Sequence, residues 1–275
     1  MPRDTVRAIC RVSSYSLIVQ QSGVAPVVKA IKVLRAFTPA VGALSVREIA
    51  TRTGIPRSTA HALCQTLVTE GMLRKSDDGY QLGPLVLELG GLVIERTGLV
   101  RAAEGILERL GRVPEQEVHL GQLTEGWVVY LNRNAGSRRP EMHNRVGQRA
   151  PAHLTGCGKA ALSVLPFDEV IGHVQRCCAE SAVPMPDMAA LETELAQARR
   201  DGFVVSQSFQ RGRTSVASAI VDGSGQPVGG VSLAGPGGMF CSVVIASSRA
   251  AVIEAAEVIS SRLLNGSLTW ATRSA

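Results

Sequence analysis

Residues Leu44 to Leu82 read LSVREIATRTGIPRSTAHALCQTLVTEGMLRKSDDGYQL, and this stretch decides the fold. Ser45 is a good N-cap, and Glu48, three positions on, can complete a capping box. Val46, Ile49 and Ala50 give the helix that follows one apolar face. Gly54 closes it, Pro56 suits the first turn of the next helix, and Ser58 and Thr59 follow at once. In that second helix Ala60, Leu63, Leu67 and Val68 form an apolar face, leaving the other face for polar contacts. Gly71 ends it. Met72 to Arg74 and Tyr80 to Leu82 then flank Lys75-Ser76-Asp77-Asp78-Gly79, a turn whose Asp-Gly suits a tight hairpin. Helix, turn, helix and hairpin in this order make a winged helix-turn-helix, which places its second helix in a DNA major groove. Amphipathic helix pairs also occur as plain packing units. The capping, the Gly-Ile-Pro turn and the basic wing favour DNA.

Working outward, residues 1–23 show no clear period and are expected to be a mobile arm, with Arg3, Arg7 and Arg11 in reach of DNA. Pro26 to Phe37 predicts a supporting helix through Val27, Val28, Ile31, Val33, Leu34 and Phe37. Residues 24–83 thus form the expected DNA-binding domain. Residues 84–98 are read as a linker helix, with Leu85, Leu89 and Leu92 on one side and Gly90-Gly91 weakening it. The domain boundary is expected near Thr97-Gly98, and residues 99–275 form the second domain. There a helix is expected over Val100–Leu110, and strands over Glu117–Leu123, Trp127–Asn132 and Glu141–Val146. Helices follow over Gly158–Leu165, Asp168–Cys178 and Met188–Asp201. Further strands span Phe203–Ser208, Thr214–Val221 and Gln226–Leu233, the last two joined by Asp222-Gly223-Ser224-Gly225, a strong hairpin signal. A helix over Ser247–Leu264 follows. Hairpins grouped around helices imply an antiparallel α+β domain rather than a doubly wound parallel sheet.

The 275 residues suffice for two cores of ordinary size. Residues 1–98 hold 12 Lys and Arg against 7 Asp and Glu, a net of +5, whereas residues 99–275 hold 17 against 16, a net of +1. The excess positive charge lies where phosphates would be neutralised, although a basic solubility surface has the same sign. Low aromatic content argues against single-stranded nucleic acids, which need stacking platforms. The six cysteines, Cys10, Cys64, Cys157, Cys177, Cys178 and Cys241, form no CxxC and no zinc spacing. With no signal peptide and no apolar run near about 18 residues, a cytoplasmic protein with reduced thiols and no membrane partner is expected. A redox role for Cys157 or the Cys177 pair is the alternative.

The chain resembles the isocitrate-lyase regulator (IclR) family of bacterial transcription factors from about Pro26 to the final helix. The resemblance is carried by the helix VVKAIKVL from Val27, the run GIPRSTAHALCQTL, the wing ending YQLGPLVLELG, LTGCGKAAL from Leu154 to Leu162, RRDGF from Arg199, and SVASAIVDGSGQPVGGVSLAGP. It implies a winged helix, a linker helix and a GAF-like C-terminal effector-binding domain. It also implies a homodimer through the DNA-binding domain, often a dimer of dimers. Such proteins bind a roughly palindromic operator on double-stranded DNA and repress or activate catabolic operons in response to a small organic acid or aromatic metabolite.

Transferred residue by residue, the resemblance makes Arg57, Ser58, Thr59 and His61 face DNA, with Gln65 one turn beyond. Ala62 stands where relatives usually have arginine, which removes a cation and points to a different operator. Arg47, Arg52, Arg74 and Lys75 are candidates for phosphate contacts. The effector pocket is placed at Met142, Gly156, Cys157, Ser215 and Ser232. Free backbone N–H groups where the Gly158 helix starts can hold a carboxylate, and strand hydroxyls add fixed polar groups. The alternative is that these glycines only turn the chain and the serines fill gaps. Ser206 to Arg211 lacks acidic residues common in relatives, and Ala219 replaces a frequent proline, which points to a more anionic or differently shaped ligand.

An enzyme is not expected. HLTGCGKA fails as a phosphate-binding loop, with His153 at the first glycine and Ala160 at the magnesium-binding hydroxyl. Cys157 with His153 as base is the low-ranking catalytic alternative. There is no nucleophile elbow, and the histidines at 61, 119, 143, 153 and 173 lack metal-binding spacing, so no cofactor or metal is expected. A sensor or adaptor without DNA binding is the other alternative, and it predicts no steep salt dependence of DNA affinity.

Overall fold

The computed structural model describes residues 23–38, 42–111, 116–135, 146–207 and 212–265. Two compact units divide between Arg96 and Thr97.

In the first unit, helices α1 (Ala25–Arg35), α2 (Val46–Thr53) and α3 (Arg57–Thr69) precede strands β1 (Leu73–Ser76) and β2 (Gly79–Leu82) and helix α4 (Pro84–Arg96). The expected capping box at α2 is formed. Glu48 N–H donates to Ser45 Oγ at 3.3 Å, and Ser45 N–H donates to Glu48 Oε2 at 2.8 Å. Gly54 ends the helix in the left-handed region at φ 68°. Ile49, Ala60, Cys64, Leu67 and Tyr80 pack with Val33 and Leu44 into one core. Fully burying each large apolar side chain contributes about 1.5–3 kcal/mol.

Two local expectations are corrected here. Within α1 only Val33 is fully buried, while Val27, Val28 and Ile31 are exposed. The supporting role therefore falls to one side of the helix and leaves an apolar stripe on the other. The wing turn is Asp77-Asp78, with Gly79 already paired to Ser76. An isolated bridge from Leu44 to Tyr80 draws Gly79 into the strand at φ 129°, where a Cβ would lie 2.5 Å from Leu44 O. Glycine serves close approach there, not the centre of the turn.

The second unit opens with α5 (Gly98–Ala103) and α6 (Ile106–Leu110). The single helix expected over Val100–Leu110 is broken because Glu104 is extended and Gly105 is left-handed at φ 73°. Strands β3 (Glu117–Thr124), β4 (Trp127–Ala135) and β5 (Arg149–Pro151) precede helices α7 (Gly156–Leu162), α8 (Phe167–Ser181) and α9 (Met188–Asp201). Strands β6 (Val204–Gln207), β7 (Arg213–Val221) and β8 (Pro227–Pro236) lead to α10 (Ser242–Asn265). α10 begins five residues before the expected Ser247, since the β-branched Val243, Val244 and Ile245 obscure a helix start. The strand expected over Glu141–Val146 falls mostly outside the described residues.

The six strands form one antiparallel sheet in the order β5-β4-β3-β8-β7-β6. Alternation gives its central strands two unlike faces. Val118, Leu120, Val216, Ile220, Val231 and Leu233 bury against α5, α6 and α10. The opposite face, spanned by α7, carries small and polar residues. A third group of apolar residues, including Val128, Tyr130, Leu162, Val170 and Leu195, fills the space among β4, β5, α7, α8 and α9. The α+β class with an N-terminal winged helix and a C-terminal antiparallel α/β domain agrees with the sequence.

Candidate functional site

Along α3 the burial of Ala60, Cys64 and Leu67 turns Arg57, Ser58, His61, Ala62 and Gln65 outward, with Thr59 half-buried. Gln65 is held in place: its Nε2 donates to the Tyr80 hydroxyl at 3.1 Å and lies 3.4 Å from His61 Nε2. Tyr80 belongs to β2, so this bond fixes the exposed face of α3 to the wing. Arg47 on α2 and Arg74 and Lys75 on β1 are exposed. Arg52 is exposed too, but its Nη1 donates to Ala36 O at 3.1 Å. Part of that guanidinium thus secures the end of α1.

The second cluster lies between α7 and the sheet. Gly156 and Ser215 meet: a Cβ on Gly156 would be 2.5 Å from Ser215 Oγ and 3.3 Å from Ala217 Cβ. Gly230 serves the same approach, since its Cβ would fall 2.6 Å from Cys157 O. Cys157 Sγ donates to Ser232 Oγ at 3.3 Å. Four of the five expected effector residues are therefore brought together and buried, and Met142 lies outside the described residues. One detail is corrected. The helix begins at Gly156, and Gly158 N–H donates to the Thr155 hydroxyl at 3.1 Å. That N–H is satisfied by its own cap and is not available to a carboxylate.

Beside this cluster the structure adds a charged group that the sequence reading missed. Glu117, only 1% exposed, accepts from Arg213 Nη2 at 2.6 Å and lies 3.1 Å from His119 Nε2. His119 meets Tyr130 edge-on, with ring centroids 5.4 Å apart. The alternation Glu117-Val118-His119-Leu120 was the available signal, placing both polar residues on one face of a strand.

Cys157 is a buried thiol, not an activated thiolate. Burial pushes its pKa up to about 11, offset in part by the bond to Ser232. His153 does not serve it as a base: the sulfur beside His153 Nε2 is Cys178 Sγ, at 4.0 Å. Burial, with a smaller effect from Lys159, lowers the His153 pKa to about 4, so the ring is neutral. Among the described residues no group of three or more His, Cys, Asp and Glu could hold a metal ion, and no helix is long and apolar enough to cross a membrane.

Residues 26–77 match the IclR helix-turn-helix domain, and residues 91–261 match the bacterial transcriptional regulator IclR C-terminal domain. The transcriptional regulator KipR of Bacillus subtilis is 26% identical over 196 residues, covering 70% of this chain and 78% of its own. The regulator XynR of Escherichia coli is 26% identical over 210 residues, covering 74% and 83%. The crystal structure of the Thermotoga maritima IclR superposes with a TM-score of 0.69 at 25% identity, covering 87% of this chain and 98% of that one. An IclR homologue from Microbacterium hydrocarbonoxydans, solved with 4-hydroxybenzoate, gives a TM-score of 0.71 at 25% identity, covering 86% and 98%.

Proposed function

The chain belongs to the IclR family of transcriptional regulators, whose C-terminal domains bind ligands, and from that premise we propose that it controls a catabolic operon in response to a small organic acid or aromatic metabolite. The observation that carries this reading is the polar stripe of α3, exposed beside a basic wing and braced to it by Gln65 and Tyr80. Arg57, Ser58, Thr59, His61 and Gln65 read base edges in this proposal. Arg47, Arg74 and Lys75 hold phosphates, and Arg52 does so with the donors left over from Ala36.

The effector occupies the α7 face of the sheet, near Met142, Gly156, Cys157, Ser215 and Ser232, with Arg213 and Glu117 at its charged side. An aromatic acid is supported by the 4-hydroxybenzoate in the Microbacterium relative. Ligand binding favours one of two arrangements of the effector domain, and the change in operator affinity is limited by the ligand's preference between them. Working on chromosomal operators places the protein in the cytoplasm.

Two exposed apolar surfaces in the first unit support a homodimer. Val24 at the N-cap and Val27, Val28 and Ile31 on α1 are 68%, 57%, 46% and 40% exposed, the last three at helical spacing. α4 has no fully buried residue, and Leu87, Leu89, Leu92 and Val93 are exposed on it. Exposed apolar surface of this kind marks protein contact, and a second copy would give the two-fold symmetry of a palindromic operator.

The test is selection of bound fragments from sheared genomic DNA at near-physiological salt, followed by titration with 4-hydroxybenzoate and related acids. A discrete palindromic site whose affinity falls steeply with salt is the expected result. Failure to enrich any sequence, with and without the acids, overturns the reading.

A further inference from the structure

The effector-domain unit has an open cleft of about 470 Å³ at the edge of its sheet, a size that suits a small molecule. It lies where β7 lacks a neighbour. β6 pairs with β7 only as far as Val204 and Ala217, whereas β7 continues beside β8 to Val221. The chain before β6 does not extend the pairing. Gly202, two residues on in register and so opposite Ala219, is the left-handed cap of α9, and its N–H donates to Ala198 O at 2.9 Å. The Gly202 carbonyl accepts from the Ser218 hydroxyl at 2.8 Å. At the far end Val221 N–H donates to Ser260 Oγ at 3.0 Å. Both ends of this short edge are closed by the fold itself, and Ala219 is left between them.

Alternation along β7 fixes where Ala219 points. Asp222 N–H donates to Gln226 O on the β8 side at 2.9 Å, and Val221 N–H turns the other way, to α10. A strand residue directs its N–H and C=O to the same side, so Ala219, like Val221, directs both away from β8. It is half-buried in the cleft wall, and among the described residues neither group has a hydrogen-bond partner there. One donor and one acceptor between two closed ends are too little for an added strand. They match a small ring that carries an acceptor and a donor on neighbouring atoms. α7 and α10 cover opposite faces of β7, so the cleft continues the plane of the sheet between two helical layers. Ala160 and Ala198 line it on one side, Ile253 and Ala256 on the other. Three of these four are alanine, which keeps side chains short where the sheet stops and suits a flat occupant. Arg199 also lines the cleft, but its Nε and Nη2 donate to Ser163 O and Leu165 O, so an uncharged ring fits the apolar walls.

We propose that this edge is a small-molecule site, distinct from the Gly156–Ser215 cluster, for a neutral planar lactam. The lactam carbonyl accepts from Ala219 N–H, the lactam N–H donates to Ala219 O, and the ring lies between the two helical layers. Carbostyril and isocarbostyril, both bicyclic lactams, are the probes, and N-methylcarbostyril is the control with the same rings and no N–H. In the chain carrying isotope-labelled alanine, Ala219→Pro deletes one amide signal and so assigns it. Proline suits the position because the N–H it removes takes no part in the ladder with β8. Ala219→Ser gives the same assignment if the proline variant does not fold. The expected result is a saturable shift of the Ala219 signal with both lactams, and binding of N-methylcarbostyril weaker by about tenfold or more. By calorimetry Ala219→Pro should weaken carbostyril about tenfold, and Ile253→Ala, which thins one wall, several-fold, both with unchanged circular dichroism. An Ala219 signal unmoved by millimolar lactam overturns the proposal. So does equal affinity for the methylated control, which would mark apolar contact alone. Binding that neither variant weakens would place the lactam elsewhere and overturn it too. An Ala219 signal that moves on dilution of the protein, and not with lactam, would assign the edge to a second copy and exclude the ligand.

Discussion

On α3 the side chains Arg57, Ser58, His61 and Gln65 stand exposed above a buried Ala60–Cys64–Leu67 face, whereas Glu117, His119, Ser215 and Ser232 under α7 are between 1% and 6% exposed. The difference has an energetic consequence. An exposed side chain that contacts DNA can be removed at little cost to folding, because water replaces the partner. A buried polar group cannot, because its removal strands the groups it satisfied. Binding and stability are therefore separable in the winged helix and entangled in the effector domain.

The largest effect expected from this contrast is at Glu117. Glu117→Ala leaves the Arg213 guanidinium, whose side chain is 12% exposed, and His119 without the carboxylate they share. Breaking a buried pair in this way costs about 3–5 kcal/mol. Urea denaturation followed through Trp127 should show that loss for the second unit, and a smaller one for Glu117→Gln. A full-strength unfolding transition in Glu117→Ala would break the comparison and place the carboxylate among dispensable groups.

His153 should show the same entanglement through pH. Its folded pKa, about 4, lies below the ordinary histidine value of 6.5, with burial as the main cause. The unfolded chain therefore binds the proton more readily. The stabilisation is complete above pH about 6.5 and is lost as pH falls through about 4, roughly 3 kcal/mol over that window. His173, lowered first by burial, acts in the same direction. Acid should melt this unit along a slope that His153→Gln flattens, as thermal scans between those pH values would record.

What the sequence disclosed follows the same division. The capping box at Ser45, the stop at Gly54 and the helix over Met188–Asp201 rest on signals within a few residues, and they were legible. The reversal between β3 and β4 is just as local, since Glu125 at φ 50° and Gly126 at φ 85° suit a two-residue hairpin. The Glu117–Arg213 pair was not legible, because its members stand 96 residues apart and meet only through β3, β8 and β7 in register. Gly79 and Gly105 were misread for a related reason. Whether a glycine turns the chain, breaks a helix or admits a neighbour depends on what packs against it. The proximity of Gly156 to Ser215 and of Cys157 to Ser232 came through resemblance, not through any local pattern.

On the exposed side of the comparison, Arg57→Ala should weaken operator binding by about 1–3 kcal/mol, roughly 5- to 150-fold, with the melting temperature unchanged. Fluorescence anisotropy on the selected operator would measure it. Lys75→Ala should act more weakly and about equally on all sequences, reducing the slope of affinity against salt by about one. If Arg57→Ala also lowers the melting temperature, the residue holds the fold and the separation fails.

The smallest effect tests where the two regimes meet. Ser45 is half-buried at the head of α2, and its hydroxyl accepts from Glu48 N–H while donating to Glu48 Oε2 at 2.7 Å. Ser45→Ala removes this local cap at a cost of about 1 kcal/mol. The loss is structural, yet α2 leads through the Gly54 turn directly into α3, so it should reach DNA affinity only by way of folding. Operator binding measured well below the melting temperature should therefore be nearly unchanged, while the thermal transition of the first unit shifts down. Equal loss in both would mean that the cap sets the angle at which α3 is presented. The winged helix would then share, at its hinge, the entanglement that Glu117 imposes on the effector domain.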